Sequence, residues 1–415
     1  MEEMVVGPLC HLCGEPLRET FADLGMSPLS NCYLAVDQLG SMEAFYPLHA
    51  YVCTTCLLVQ VPAIEAPQRL FSDYAYFSSF SDSWLGHARR FCVESAKRFG
   101  LGPGSLVLEV ASNDGYLLQY FREAGVPVLG IEPAANVARA AQDKGIPTLV
   151  RFMGRSLGEE LAADKKKADL VVANNVLAHV PDLDDFTAGL ASVLKPQGTL
   201  SLEFPHLLRL IRERQFDTIY HEHFSYLSLE VATRVLARHG LVVFDVEELA
   251  THGGSLRVYA GHAATAASRA TSNPARIIED EIQSGLRRLE TYRSFSDQVQ
   301  AVKRDLLRFL IDAREQGKQV AGYGAPAKGN TLLNYCGVRT DLLAYTVDRN
   351  PHKQGRFLPG TRIPIHAPGR IAETRPDYVL ILPWNLREEI VGQMAGIRKW
   401  GGKFVVPIPR VEVMA

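Results

Sequence analysis

Two pairs of cysteines carry residue types and a spacing that could do chemistry. Cys10 and Cys13 form one CxxC pair, and Cys53 and Cys56 form another. A CxxC turn offers two thiolates to one ion, and two such turns complete the four-sulfur shell typical of structural zinc. A redox CxxC belongs in a βαβ unit, and no such pattern surrounds these pairs. The spacing therefore predicts a closed structural zinc site, with iron or unrelated buried thiols as the alternatives.

A histidine-rich stretch, YHEHFSYLSL, begins at Tyr220 and contains His221, Glu222 and His223. A zinc protease motif, HExxH, would need a second histidine at position 225, where this chain has serine. Neither a helix nor an extended strand would make three metal ligands of these residues. Histidine, with an ordinary pKa of about 6.5, suits proton transfer at neutral pH. The stretch favours proton transfer, and the alternative is that its histidines only cap a loop against a sheet.

The elements that must position these groups are alternating helices and strands from about residue 85. Four short apolar runs, LVLEVAS, VLGIEP, DLVVANN and GTLSLEFP, are typical of buried strands bounded by turns. Strands separated by helices predict an α/β, doubly wound parallel sheet that binds its ligand beyond the carboxyl ends of the strands. A polar linker, GHAATAASRATSNPAR from Gly261, and two predicted helices lead to KQVAGYGAPAKGNTLL, which repeats the strand, glycine turn and helix pattern. We expect domains at 1–72, 73–262 and 263–415.

The totals narrow the function classes. The chain has 415 residues and a formal net charge of −2, which gives no global field to attract nucleic acid. No apolar run approaches the roughly 18 residues that span a bilayer, and the N-terminus lacks the pattern of a signal peptide. The odd cysteine number suits a reducing compartment. We therefore expect a cytoplasmic protein that binds neither membranes nor nucleic acid.

The first predicted strand ends in EVASNDG, from Glu109 to Gly115, and a helix follows. This turn is not the GxGxxG that a dinucleotide requires, because only one glycine remains. Glu132 ends the next strand, where an acidic side chain can accept both hydroxyls of a ribose. The pattern favours a nucleoside cofactor, and the alternative is that Glu132 is an ordinary turn residue.

Taken in order, ExASNDGYLL, GIEP, NNVLAHVPD, SLEFPHL and YHEHFSYLS resemble a known family, and the cysteine pairs and GYGAPAKG at 322–329 complete the match. The family is that of the sugar C-methyltransferases of antibiotic deoxysugar pathways, which act on NDP-4-keto-deoxyhexoses. The resemblance covers nearly the whole chain. It implies an N-terminal zinc-binding domain, a class I methyltransferase (Rossmann-like) domain that uses S-adenosylmethionine (SAM), and a second C-terminal Rossmann-like domain. It also implies a nucleotide-sugar substrate that is TDP-linked, and a monomer is the expected state.

The resemblance also implies roles for single residues. The catalytic residues would be His223 as base, Glu222 orienting it or sharing the proton, and Tyr220 donating to an oxyanion. The SAM-binding residues would be Glu109, Ala111, Ser112, Asn113, Gly115, Glu132, Phe152, Met153, Asn174 and Asn175. The substrate-binding residues would be Tyr74, Tyr76, Ser79, His179, Tyr323 and Lys328. Arg151 is a departure, because relatives commonly carry an acidic residue near this point that could accept from the adenine amine.

The expected reaction is methylation of a carbon beside the keto group of a 4-keto-deoxyhexose, at carbon 3. A base would remove the proton there, and the resulting enolate would accept the methyl group. One alternative is an O- or N-methyltransferase, which needs no adjacent ketone. Another is a non-catalytic zinc scaffold. For the C-terminal lobe, contact with the sugar nucleotide and a purely structural role are both open.

Overall fold

The computed structural model describes residues 7–65, 78–80 and 82–414. Tyr74 and Tyr76 lie outside these ranges. The N-terminal region contains strands β1 (Glu19–Ser27), β2 (Tyr46–Val52) and β3 (Val59–Gln60). Alternate residues of β2 are buried, as expected of a strand with one face on a core. The strands pair antiparallel in the order β1, β2, β3.

The middle region contains a seven-stranded sheet with helices between its strands, and one further short strand that pairs outside this sheet. Its elements are α1 (Asp82–Phe99), β4 (Val107–Val110), α2 (Leu118–Glu123), β5 (Val128–Ile131), α3 (Ala135–Asp143), β6 (Thr148–Leu149), α4 (Arg155–Ala163), β7 (Ala168–Asn174), α5 (Leu183–Val193), β8 (Leu194–Pro205), α6 (Leu207–Arg212), β9 (Ser225–Tyr226), α7 (Leu229–Ala237), β10 (Leu241–Leu249) and β11 (Ser255–His262).

Sheet order in this region is β10, β11, β8, β7, β4, β5, β6. All pairs are parallel except those of β11, which runs antiparallel to both of its neighbours. All four residues of β4 are buried, as expected of a strand covered on both faces. The four predicted strands are confirmed as β4, β5, β7 and β8. The linker predicted from Gly261 begins too early, because Gly261 and His262 complete β11.

A second, six-stranded sheet forms the C-terminal lobe. The elements from residue 263 are α8 (Ala263–Ala266), α9 (Asn273–Gln283), α10 (Leu289–Arg293), α11 (Phe295–Glu315), β12 (Val320–Tyr323), α12 (Ala327–Cys336), β13 (Thr346–Val347), β14 (Ile365–His366), α13 (Gly369–Thr374), β15 (Tyr378–Ile381), α14 (Arg387–Gln393), β16 (Lys403–Val406) and β17 (Glu412–Met414).

Its order is β14, β13, β12, β15, β16, β17, with only β17 antiparallel among the described strands. This confirms the predicted second Rossmann-like lobe. Helices α9, α10 and α11 stand where the sequence predicted two helices. Phe295 at the start of α11 stacks on Phe21 of β1, with ring centroids 4.4 Å apart. The C-terminal lobe therefore shares a core with the N-terminal sheet.

The histidine-rich stretch crosses between regions. It contains β9, which joins the N-terminal sheet by pairing with β3. Val59 lies opposite Tyr226, and Gln60 lies opposite Ser225. On the other side, Thr331 of α12 donates to the Ile219 carbonyl at 3.0 Å. All three regions thus meet around residues 217–226. Within the described ranges, no helix is both long and apolar enough to cross a membrane.

Candidate functional site

The four cysteines of the CxxC pairs converge at one point. Sγ of Cys10 lies 3.4 Å from that of Cys56, Sγ of Cys13 lies 3.4 Å from that of Cys53, and all four sulfurs are within 4.8 Å of one another. A tetrahedral zinc with Zn–S bonds of about 2.3 Å needs sulfurs about 3.8 Å apart, so the set fits one zinc ion. Gln60 adds an outer hydrogen bond, from its Nε2 to Cys10 Sγ at 3.2 Å. With four protein ligands, zinc here stabilises the fold and offers no open position to a substrate.

The turn after β4 is tightly wound. Ala111, Asn113 and Gly115 all have left-handed backbone conformations, with φ of 53°, 48° and 77°. A Cβ at Gly115 would lie 2.3 Å from Ile146 Cδ1, so only glycine fits there. The turn therefore brings backbone to the carboxyl end of β4 without bulky side chains in the way.

Glu132, at the end of β5, closes the neighbouring side of this crevice. Its Oε2 accepts from the Asn113 backbone N–H and its Oε1 from that of Ala134, both at 2.9 Å. Burial raises the pKa of this carboxyl, and the two hydrogen bonds oppose the rise. An ionised carboxylate retains further lone pairs, so Glu132 can accept a ribose diol while it holds the turn.

Several buried polar atoms around the same strand ends have no hydrogen-bond partner among the described residues. They are Glu109 Oε2, Ser112 Oγ, Asn174 Oδ1 and Asn175 Oδ1. Burial raises the pKa of Glu109 well above its usual range, and the nearby Glu132 and Asp114 add to the rise. Buried polar groups are normally satisfied, so this set matches the needs of a bound polar ligand such as the amino-acid end of SAM.

The other residues predicted to lie at this crevice differ in their exposure and in their contacts. Phe152 is 41% exposed, while Met153 is partly buried against the core of the sheet. Ser79 lies near the turn after β4, because Lys144 donates both to its Oγ, at 3.1 Å, and to the carbonyl of Asp114, at 2.9 Å. Ser79, predicted to bind the substrate, is thus held at the edge of the crevice predicted for the cofactor.

His223 is held by two hydrogen bonds. Its Nδ1 lies 2.9 Å from the Thr218 carbonyl oxygen and its Nε2 lies 2.8 Å from the Tyr220 hydroxyl. A carbonyl only accepts, so Nδ1 carries the proton and Nε2 accepts from Tyr220. Burial lowers the pKa of His223 well below its usual range, and neighbouring His179 adds to the effect. The ring is therefore neutral at neutral pH, with its lone pair on the Tyr220 hydroxyl.

His179 follows β7 in a short 3-10 turn, Leu177–His179, and its ring lies edge-on to that of His223 with centroids 4.6 Å apart. Burial lowers the pKa of His179 to about 4. The backbone N–H of Phe224 donates to the Ala178 carbonyl at 2.7 Å, which ties the turn to the histidine-rich stretch. The structure thus brings together the two histidines that the sequence assigned to base and substrate contact.

Glu222 does not pair with His223, contrary to the expected orienting contact. Its carboxylate accepts from Asn31 Nδ2 of the N-terminal region, at 2.7 Å and 3.0 Å. The Thr218 carbonyl takes the orienting position on His223 instead. His221 faces the N-terminal sheet, with Nε2 3.2 Å from the Pro47 carbonyl. Asn31 was missed because no motif or spacing in the sequence links it to Glu222.

In the second lobe, Lys328 approaches the same stretch and Tyr323 does not. Lys328 donates to Asn385 Oδ1 at 2.9 Å and lies over the ring of Trp384, whose indole N–H donates to Asp217 at 2.7 Å. Burial lowers the pKa of Lys328. Burial also raises the pKa of Asp217 to about 6, although the positive charge of Lys328 lowers it. Tyr323 is buried and donates to Gln393 Oε1 at 3.1 Å.

Each of the three regions matches a known protein family. Three family models match: a zinc binding domain over residues 10–71, a methyltransferase domain over 84–246, and a C-methyltransferase C-terminal domain over 250–409. The C-methyltransferase NovU of Streptomyces niveus is 37% identical over 416 residues, which cover 99% of this chain and 98% of NovU.

More distant matches cover only part of the chain. The human mitochondrial ubiquinone biosynthesis O-methyltransferase is 27% identical over 34% of this chain and 43% of its own length. Among solved structures, magnesium protoporphyrin IX methyltransferase of Synechocystis with bound S-adenosylhomocysteine (SAH) covers 47% of this chain and 91% of its own, with 19% identity and a TM-score of 0.35.

Proposed function

Because the chain belongs to the SAM-dependent C-methyltransferase family that includes NovU, we propose that its acceptor is a nucleotide-linked 4-keto-deoxyhexose, methylated at carbon 3 through an enolate. The order of motifs from the cysteine pairs to GYGAPAKG supports this substrate class, since it matches enzymes of antibiotic deoxysugar pathways. When bound, SAM supplies an electrophilic methyl group, which a carbon nucleophile can accept.

The observation that carries the proposal is the hydrogen-bond chain from Tyr220 through His223 to the Thr218 carbonyl. Making carbon 3 nucleophilic requires removal of the proton beside the ketone. The buried, neutral His223 can accept a proton at Nε2, and its Nδ1–H stays on the Thr218 carbonyl throughout.

The direction of the Tyr220 bond refines the expected roles. The only lone pair on the His223 ring already accepts from the Tyr220 hydroxyl, so the substrate proton reaches His223 through Tyr220. In this step the phenol O–H bond breaks toward Nε2 while the phenolic oxygen takes the proton from carbon 3. The C–H electron pair becomes the enolate, whose charge lies largely on the carbon 4 oxygen. Tyr220 then relays the proton, in place of the oxyanion contact expected from the sequence.

The test is exchange of the carbon 3 proton of a TDP-4-keto-2,6-dideoxyhexose in deuterated buffer, with SAH filling the cofactor crevice. We expect deuterium uptake in the wild type, and a carbon-bound methyl group when SAM replaces SAH. His223→Ala and Tyr220→Phe should each slow both reactions by about 10²- to 10⁴-fold. SAH affinity, measured by calorimetry, should stay unchanged, which controls for misfolding.

Exchange at wild-type rates in both variants would refute the relay. A methyl group found on oxygen or nitrogen, without proton exchange in the wild type, would instead identify an O- or N-methyltransferase.

A further inference from the structure

We propose that Asn31 of the zinc domain is a positioning residue for methyl transfer, which holds the Glu222 side chain in place in its ionised form. The inference rests on the proposed function of the histidine-rich stretch and on the part in proton transfer that the family resemblance implies for Glu222. It assigns the N-terminal domain a part in the chemistry beyond binding zinc.

Hydrogen-bond direction indicates which form of Glu222 is held. Asn31 Nδ2 donates to both carboxylate oxygens, at 2.7 Å and 3.0 Å. That arrangement turns the amide NH₂ group toward Glu222. An NH₂ group only donates, and a carboxylate offers an acceptor at each of its two oxygens, so these hydrogen bonds stabilise the ionised form of Glu222 more than the protonated form. Within the described ranges, Asn31 is the sole hydrogen-bonding side chain on the Glu222 carboxylate.

Burial works against the ionised form. Glu222 is 4% exposed, and burial raises its pKa to about 7 although the Asn31 hydrogen bonds lower it. Without the Asn31 hydrogen bonds the pKa of Glu222 would rise further, because the buried charge would lose the donors that take the place of water. The other titratable groups that face Glu222 or flank it are Cys32 and Tyr33 in the Asn31 loop, His179 after β7, and His221 and His223 beside it in sequence.

The loop that carries Asn31 is itself fixed from the second lobe. The Ser30 carbonyl accepts from Asn330 Nδ2 at 2.6 Å, and the Tyr33 hydroxyl donates to the Ala325 carbonyl at 2.6 Å. On the far side of Glu222, the Val61 backbone N–H donates to the Phe224 carbonyl at 3.0 Å, next to the β3–β9 pair. The zinc domain therefore contacts residues 222–226 at two places. Asn31 is the contact that reaches an ionisable group.

The experiment compares the pH dependence of kcat for methylation of the TDP-4-keto-2,6-dideoxyhexose in wild type, Asn31→Ala and Asn31→Asp. In the wild type, kcat should rise with pH through a midpoint near the Glu222 pKa of about 7. In Asn31→Ala the midpoint should move up by about one unit, so kcat at neutral pH falls about fivefold and recovers at high pH. Asn31→Asp should move it further, because two carboxylates would share the site.

Two controls separate this role from simple loosening of the loop. Asn330→Ala removes the Ser30 anchor and leaves the Asn31–Glu222 bond, so it should lower stability and keep the pH midpoint. Glu222→Gln should remove the fall of kcat at low pH, both in the wild type and in Asn31→Ala. Equal loss of kcat at every pH in Asn31→Ala, with an unmoved midpoint, would overturn the proposal.

Failure of the proposed function has a different signature. If the wild type neither exchanges nor methylates the keto sugar, the acceptor is wrong, and Glu222 ionisation is then followed by infrared spectroscopy of its carboxyl band. The band is assigned by its loss in Glu222→Gln. A titration midpoint that is higher in Asn31→Ala supports the proposal without turnover, and an unshifted midpoint refutes it.

Discussion

The two Rossmann-like lobes close their first turn in the same way, but the polar atoms around the two turns differ in whether they have hydrogen-bond partners. In the first lobe Glu132 accepts the Asn113 backbone N–H, and in the second Asp348 accepts that of Ala325, at 2.7 Å. Around the first turn, buried atoms such as Glu109 Oε2 lack partners among the described residues. At the second turn, the Ala325 carbonyl already accepts from Tyr33 and from Lys353.

The same strand, turn and helix unit can therefore leave polar atoms open to a ligand or use them in hydrogen bonds with another region of the chain. The first turn leaves polar groups that a ligand must satisfy. The second turn is occupied by the N-terminal loop, and Lys328, in the helix that follows this turn, lies beside Asp217. If the second lobe touches the sugar nucleotide, we expect it to do so through Lys328.

Exchanging the two matched carboxylates for amides gives the largest expected contrast. Glu132→Gln should weaken SAH binding by about 3 kcal/mol, roughly a hundredfold, because two charge-assisted hydrogen bonds to the ribose are lost. Asp348→Asn should leave SAH affinity unchanged. Calorimetric titration of both variants tests this, and an equal loss in Asp348→Asn would show that the two turns are not distinct in use.

A second contrast lies in the zinc domain, which holds the second turn through Tyr33. Gln60→Ala removes the hydrogen bond to Cys10 Sγ, and loss of such an outer contact should lower zinc affinity by about 10- to 100-fold. Competition with a chromophoric chelator measures this change. After zinc removal, methyl transfer should be lost while SAH binding persists, since the crevice at β4 and β5 contains none of the zinc ligands. Loss of SAH binding along with zinc would contradict the independence of the first lobe.

Lys328→Met tests the expected contact of the second lobe. We expect the KM for the sugar nucleotide to rise about tenfold, which corresponds to one charge-assisted hydrogen bond, with SAH affinity unchanged. Steady-state kinetics at saturating SAM measures this. Lys318→Met is the matched control, because Lys318 precedes β12, at the end of the strand opposite the turn, and pairs with Asp377 at 2.9 Å. An unchanged KM with lower stability would favour the purely structural lobe.

The sequence predicted what depends on local chemistry. The four cysteines were predicted as one site because the ligand spacing of zinc is set within each CxxC turn, and β4 and β7 were predicted because buried strands are continuous apolar runs. The predicted start of the linker at Gly261 was wrong, because the small and polar residues at the end of β11 resemble a linker. Such composition does not show whether a neighbouring strand supplies hydrogen bonds.

Contacts between regions could not be predicted in this way. Asn31 and Glu222 are 191 positions apart, and neither flanking sequence has a periodicity that pairs them. The tautomer of His223 depends on the Thr218 carbonyl, a backbone group that every residue type provides. The expected Glu222–His223 contact followed from the family resemblance, whereas the fold turns the Glu222 carboxylate toward the N-terminal domain.

The smallest expected effect is on stability, and it concerns the contact between the N-terminal loop and the second turn. Tyr33→Phe deletes the hydrogen bond to Ala325, and the free energy of unfolding should fall by about 1 kcal/mol. Tyr292→Phe is the control, because its hydroxyl makes an equally short bond, 2.6 Å, to the Leu286 carbonyl away from that turn. Denaturant titration should give similar losses for both variants, and SAH affinity should change in neither. If Tyr33→Phe alone weakened SAH binding, the two turns would be coupled through the N-terminal loop, and the second could not be regarded as a site of assembly only.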